Sequence, residues 1–372
     1  MASLIPALPL LAGPFDASYS SLQWLVSGYL LGLGLFQPIQ GWLCDRCGRR
    51  PVLLGGFSLF AVASILASLA TSLPLLIMAR LLQAAGVSVA TVVSRAIVRD
   101  RYEPEQAAVA LAFITAVMGL SPVIAPLAGG ALADLTGWRG VFWMHALVAI
   151  ALLIWMSIEL AESRPADTWV PPLRRLFTSF AGLLRQPAFR AYTAIYMLVS
   201  AGTFAFIPVG ADLFRRLFGL QATQFGALWA SLAVAYVAGA ATAGTLARRT
   251  AASTVLRIGS VLQLLAAAMF VAAALLPQPS LPAFVAALAV LLFSNSLISP
   301  MALAGAASAS PQQAGTAAGL SSSIAMLGSM CCTALTGIVY DGTALPSAVL
   351  LAVLAIAAAA VLLRTARVKT AR

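Results

Sequence analysis

Residues 258–340 form a run of 83 positions with no Asp, Glu, Lys or Arg. Shorter uncharged runs cover 51–79, 106–133 and 217–247. Water offers no place for such stretches, whereas the hydrocarbon of a bilayer is crossed by about 20 apolar helical residues. Backbone groups inside lipid must be paired within the structure, which leaves only helices and closed barrels. A barrel would alternate apolar and polar residues in segments of about ten, and this chain does not. Composition agrees: 61% of residues are hydrophobic and 9% charged, against about 25% charged in a soluble domain. A soluble enzyme or nucleic-acid-binding domain is excluded, and the chain reads as an all-α polytopic membrane protein.

Cutting at charged islands and Pro/Gly/Ser breaks predicts eleven full spans. They are roughly 20–43, 51–71, 74–98, 106–133, 141–160, 189–212, 222–246, 252–275, 282–303, 312–338 and 343–363. The net charge of +11 resembles a nucleic-acid footprint until its distribution is read. Counting alternate loops puts 17 of the 22 basic residues on one side, including Arg46, Arg49, Arg50 and the tail from Arg364. Basic loops stay in the cytoplasm, so that side and the C-terminus are expected to be cytoplasmic; the bias of 21 Arg against the single Lys369 hints at a GC-rich bacterial genome, and hence at a bacterial inner membrane.

With this orientation the first full span begins outside, after an apolar stub at residues 1–12. The stub is only about half a span long and has no basic n-region or cleavage site, so a signal peptide is not expected. It reads as the outer half of a first helix whose inner half is absent. At a constant offset of 203, Gly41, Leu43, Arg46, Val52, Leu53 and Gly56 match Gly244, Leu246, Arg249, Val255, Leu256 and Gly259. Such a repeat suggests two parallel six-helix halves. The expected organisation is an N-terminal bundle at 1–160, a cytoplasmic linker at 161–188, a C-terminal bundle at 189–363 and a basic tail at 364–372.

The sharpest motif is Gly41-Trp-Leu-Cys-Asp45-Arg46-Cys-Gly48-Arg49-Arg50. Gly48 turns the chain, Asp45 can pair with a helix N-terminus, and the arginines suit an anionic inner leaflet. The segment resembles the signature loop between helices 2 and 3 of the major facilitator superfamily. Arg80-Leu-Leu-Gln83, with Ser94 to Tyr102, resembles helix 4 of its bacterial drug:proton antiporters. Met118 to Gly130, containing Gly119, Pro122, Pro126, Gly129 and Gly130, is similar to their helix 5 motif. Gly137 to Trp143, Ala314 to Ala318 and Pro6-Ala-Leu-Pro9 are similar to other family segments. Together they resemble the bicyclomycin-resistance and chloramphenicol-efflux (Bcr/CflA) branch.

The resemblance implies a major facilitator fold of two six-helix halves, here with helix 1 truncated. It also implies export of amphipathic drug-like molecules by proton antiport, with a proton-independent facilitator or an inactive truncated form as alternatives. Arg80, Gln83 and Arg95 become candidates for proton coupling or substrate contact. A charge inside a span costs at least ~2.5–3.5 kcal/mol, which favours a functional Arg80 over a snorkelling one. Arg95, nearer the cytoplasmic end of its helix, suits snorkelling better. The prolines and glycines of the helix 5 motif serve either state switching or bundle packing.

Tyr29, Gln37, Phe113, Met118, Phe204, Phe206 and Asn295 could line a pocket or simply pack. His145, the only histidine, suits an interfacial or hydrogen-bonded role better than that of a proton carrier. Cys44 and Cys47 lack a second CxxC or nearby His to complete a metal site. No cofactor, metal or enzymatic constellation is expected. The expected partners are a small-molecule substrate, protons and the lipid bilayer, with no nucleic acid and a monomeric unit.

Two departures from the family pattern bear on mechanism. The helix 1 position that usually carries an acid is Ala2, and no carboxylate falls centrally in any predicted span. Proton exchange needs a group whose pKa burial can move toward neutrality. Ala84 and Ala125 also stand where the family usually has Gly.

Overall fold

The computed structural model describes residues 1–164, 172–310 and 313–370. Side chains at 91, 99, 104, 105, 107–109, 111–113, 115, 116, 118–120, 122 and 365–370 fall outside that description. The chain opens with a 3₁₀ helix, Ala2–Leu11, and two short turns, α1 (Ala12–Phe15) and α2 (Tyr19–Leu22). The first half continues with α3 (Trp24–Cys47), α4 (Arg49–Ser68), α5 (Leu73–Arg101), α6 (Pro104–Thr136) and α7 (Trp138–Glu159). After the linker helix α8 (Leu173–Arg185) come α9 (Pro187–Phe218), α10 (Ala222–Arg249), α11 (Ala252–Ala274), α12 (Leu281–Ser308), α13 (Ala314–Val339) and α14 (Leu345–Thr370).

Among the described residues nine helices are long and apolar enough to cross a membrane; α3 and α6 add 24 and 33 residues. Each predicted span falls on one of these eleven long helices, the first beginning in α2 and running through α3. Several start on proline (α6 and α9 at their first residue), where the missing N–H would have had no partner in any case.

The opening segment is a 3₁₀ helix carrying Pro6 and Pro9. Both prolines lack the N–H that an α-helix would use. Leu4, Ile5, Ala7, Leu8 and Leu11 are all buried, and the segment packs on α6, α7 and α9. At 2.0 Å per residue its ten residues span about 20 Å, so it fills the seam between the halves.

The internal repeat is realised as packing. Gly56 lets α4 approach α5 at Gly86 and Val89, and Gly259 lets α11 approach α12 at Leu297 and Ile298. Val52, Leu53, Val255 and Leu256 are buried at equivalent places. The halves meet along two seams, α3 with α13 and α6 with α10. Specific contacts across them gather at the end opposite the basic loops. Tyr19 donates its hydroxyl to the Pro208 carbonyl, and its ring lies 5.8 Å from that of Tyr340. Thr223, in the first turn of α10, donates through its backbone N–H (2.8 Å) and hydroxyl (2.6 Å) to Asp134 of α6.

Pro208 has a second consequence. Its missing N–H frees the carbonyl of Phe204 one turn earlier, and the Thr333 hydroxyl of α13 donates to it at 3.1 Å. A helix-breaking residue is thus tolerated inside the bundle because a neighbouring side chain completes the backbone pairing.

Candidate functional site

Arg80 lies seven residues into α5, about 10 Å from its first residue at 1.5 Å per residue. It is the largest fully buried side chain among the described residues, 1% exposed. Its guanidinium stacks 4.2 Å from the centre of the Tyr29 ring on α3. Nη1 donates to Gln83 Oε1 at 2.9 Å and Nε donates to the Leu25 carbonyl at 3.4 Å. Gln83 in turn donates to Ser64 Oγ of α4 at 2.7 Å, and Ser64 to the Phe60 carbonyl. One polar chain therefore ties α3, α4 and α5 together through residues at i and i+3 of α5. Nη2 has no partner, and none of the ion pairs among the described residues includes Arg80.

A buried cation without a counter-charge costs several kcal/mol. Stacking on a desolvated ring returns about 2 kcal/mol, and each good hydrogen bond about 1 kcal/mol. The site is held, but not neutralised. His145 of α7 shares a 2.7 Å hydrogen bond through Nε2 with Ser3 Oγ of the opening segment and packs between Phe60 and Phe142. Its Nδ1 is buried without a partner.

The signature loop forms a second polar assembly at the other end of the bundle. Gly48 stands between α3 and α4 with φ +98°, a conformation that disfavours any side chain. The Gly48 N–H closes α3 by bonding the Cys44 carbonyl at 3.1 Å. The carboxylate of Glu162, just past α7, accepts the backbone N–H of Arg49 at 2.9 Å and of Arg50 at 3.1 Å. The next residue, Pro51, has no N–H. Every otherwise orphaned donor at this helix start is thereby accounted for.

Arg49 is buried and grips Asp100 at the end of α5 through Nε (2.7 Å) and Nη2 (3.4 Å), while Nη1 lies 3.3 Å from Asp45. Arg50 donates to the Ser157 carbonyl, Arg101 to Ala161 and Arg164 to Arg46. These contacts clamp α3, α4, α5 and the chain leaving α7 into one unit. Burial pushes the Glu162 carboxyl up, but the N–H groups of Arg164, Arg49, Arg50 and Ser163 outweigh it and hold it below its ordinary value.

The remaining candidates are dispersed. Arg95 is exposed on α5, about 22 Å from Arg80 toward the basic end. Gly41 lies against Val92, and Arg46 stacks 5.3 Å from the Trp42 ring. Gly129 backs on Ser3 of the opening segment and Gly130 on Ala222 of α10, so a side chain at either would strike backbone. Pro126 is buried, its carbonyl against Gly226. Asn295 joins α12 to α9, donating to Thr203 Oγ1 at 2.6 Å. Phe206 sits in an aromatic core with Phe214 and Phe270; Phe204 and Gln37 are half-buried. Phe113, Met118, Gly119 and Pro122 have side chains outside the described residues.

Sequence reasoning missed Glu162 as a helix cap, because its partner is 113 positions away. It also missed the group around Asp212, the one buried carboxylate among the described residues. Asp212 accepts from Arg216 Nε at 2.6 Å and from the Tyr340 hydroxyl at 2.9 Å.

Comparison with known proteins assigns the architecture. The family model of the Major Facilitator Superfamily matches residues 1–276. Multidrug resistance protein D of Escherichia coli (strain K12) is 30% identical over 325 residues, 87% of this chain and 81% of that protein. A bicyclomycin resistance protein homolog of Haemophilus influenzae is 25% identical over 321 residues, 86% and 80% of the two chains. Among solved structures, a bacterial homologue of the human lysosomal transporter Spinster, inward-facing and occupied, superposes with TM-score 0.79 at 17% identity, covering 98% of this chain and 94% of that one. A D-xylose-proton symporter superposes with TM-score 0.71 at 15% identity, covering 95% and 92%. The chain belongs to the major facilitator superfamily, as a multi-pass membrane transporter with multidrug-resistance proteins among its relatives.

Proposed function

We propose that this transporter exports amphipathic drug-like molecules of the phenicol and bicyclomycin type from the bacterial cytoplasm in exchange for protons. The observation that carries the export reading is the kinship with multidrug resistance protein D over 87% of the chain. The basic end, with the C-terminus, is placed in the cytoplasm. Cross-half contacts at Tyr19, Pro208 and Thr223 then close the outer face, and the substrate enters from inside. Export follows when the halves rock about a central site. Substrate and proton compete for the inward-open form, and the uncompensated charge of Arg80 sets the local electrostatics.

A second reading, a facilitator without proton coupling, draws on one specific observation. The only buried carboxylate among the described residues, Asp212, is engaged by Arg216 and Tyr340 near the outer end and does not pair with Arg80.

Inverted vesicles containing the protein separate these readings. Addition of a phenicol should release protons and dissipate an imposed pH gradient. Substrate flux indifferent to the gradient supports the facilitator; no flux from folded protein overturns both.

A further inference from the structure

The linker between the halves contains a feature that the transport reading leaves unused. Along α8, Leu173, Leu176, Phe177, Phe180, Leu183 and Leu184 recur at intervals of three and four, while Arg174, Arg175 and Arg185 occupy the other side. From Pro172 to Ala211 the sequence holds four arginines (174, 175, 185 and 190) and no acid. An apolar stripe bordered by arginines is the pattern of a helix lying in a membrane surface.

The structure divides that stripe in two. Leu183 is 1% exposed, packed with Phe180 against Phe189 of α9, Ala306 of α12, and Ala317 and Leu320 of α13. Phe177 and Leu184 are left bare, 57% and 45% exposed. The polar back of α8, at Thr178, Ser179 and Gly182, faces a crevice of about 320 Å³ bounded by Ser310 and Gln313. The helix is therefore held in one rotation, with its bare apolar edge turned away from the bundle.

Its depth is fixed by the chain. Only Gln186 separates Arg185 from Pro187, the first residue of α9. Arg190 and Arg215 mark the two ends of α9, about 37 Å apart at 1.5 Å per residue. That distance exceeds the ~30 Å hydrocarbon layer by a few ångströms at each side. Arg190, and α8 one turn before it, consequently stand at headgroup level.

We propose that α8 is an in-plane surface helix that binds acidic phospholipid, with Phe177 and Leu184 entering the acyl region and Arg174 and Arg185 pairing with headgroup phosphates. The inference rests on a membrane-spanning α9, not on what the transporter carries. Each arginine near an anionic surface contributes about a fivefold gain in binding, so losing both costs on the order of tenfold to thirtyfold.

The test uses the full chain in lipid vesicles, with its native cysteines replaced by alanine and a fluorophore on Phe177→Cys. Bromine-labelled acyl chains should quench the label, increasingly so as phosphatidylglycerol replaces phosphatidylcholine. Arg174→Gln with Arg185→Gln should shift that dependence tenfold or more toward higher phosphatidylglycerol, and the paired Lys variants should restore most of it. Both variants are compared at equal amounts of monodisperse protein, which separates lipid binding from misfolding. A label that stays unquenched in phosphatidylglycerol vesicles overturns the proposal, as does a Gln pair with unchanged lipid dependence. Abolition of the dependence by soluble glycerol phosphate would make this a site for free phosphates and overturn the membrane assignment.

Discussion

Replacing Glu162 with Gln tests whether the basic end is clamped by one carboxylate. Glu162 caps both backbone donors among the first three residues of α4, Arg49 and Arg50; the third, Pro51, has no N–H. Glutamine keeps one acceptor oxygen but turns an amide N–H₂ toward the other donor, and it removes the charge that faces the helix N-terminus. Losing a cap costs about 0.5–2 kcal/mol, and losing the dipole interaction about 0.3–1 kcal/mol. Because Glu162 is solvent-exposed, the lower parts of both ranges apply, and we expect about 1–2 kcal/mol of local stability to be lost. The first turn of α4 should then open about 5–30 times more readily, read as faster amide hydrogen exchange in a peptide covering residues 46–56. The effect has a defined pH sense. Glu162 titrates below its ordinary value of 4.5 in the folded protein, so the stabilisation is complete above that value and is lost as pH falls through the folded one. Wild type and variant should differ at neutral pH and converge in acid. Exchange unchanged at 46–56, or accelerated equally along the whole chain, would refute the clamp.

Three further substitutions probe other parts of the molecule. Gly48→Ala forces a side chain into φ +98° beside the Glu162 carboxylate; it should cost about 1–3 kcal/mol and lower the melting temperature, and an unchanged melting temperature would show that the turn relaxes freely. Arg80→Ala should abolish coupled export while leaving monodisperse protein, and Arg80→Lys should keep part of the activity because the charge remains without the planar fork; normal transport by the Ala variant would remove Arg80 from the coupling site. Tyr19→Phe deletes the hydroxyl that reaches Pro208 across the seam, about 1 kcal/mol or fivefold toward an open outer face; spin-label distances across that end should lengthen in more of the population, and an unaltered distribution would mean that ring packing alone holds the seam.

What could be read from the sequence follows the range of the forces involved. Uncharged runs and basic islands are local signals, and they located the eleven long helices, with ends displaced by up to seven residues, as at α14. The loop Gly41 to Arg50 was legible because its turn and its charges lie within ten positions. The partners were not: Asp100 and Glu162 meet Arg49 only through the packing of α4 against α5 and α7. Arg80 stood out as a charge in an apolar span, yet its ring partner Tyr29 lies 51 positions earlier and could only be grouped with other aromatics. Phe206 shows the opposite failure. Nothing in its local sequence distinguishes a pocket wall from the aromatic core it occupies with Phe214 and Phe270.

The two copies of the signature loop suggest what the clamp is for. Both halves make the same connection, from α3 to α4 and from α10 to α11, with Arg46 and Arg249 in matching positions. At the same offset, however, Asp45, Gly48 and Arg49 become Arg248, Ala251 and Ala252. The second turn still forms, with Ala251 extended at ψ 144° and no side-chain cap on α11. An acid, a glycine and a buried arginine are therefore not required to pass from one helix to the next in this fold. What the first-half loop and its neighbours add is attachment: the Arg49 side chain binds Asp100 of α5 and its backbone N–H binds Glu162, while Arg50 and Arg101 reach Ser157 and Ala161 at the end of α7 and the chain leaving it. That chain runs on toward α8 and the second half. The start of α4 and the ends of α3 and α5 are thereby tied to the chain leaving α7, so the basic end of the first half is held by polar contacts and not by helix packing alone.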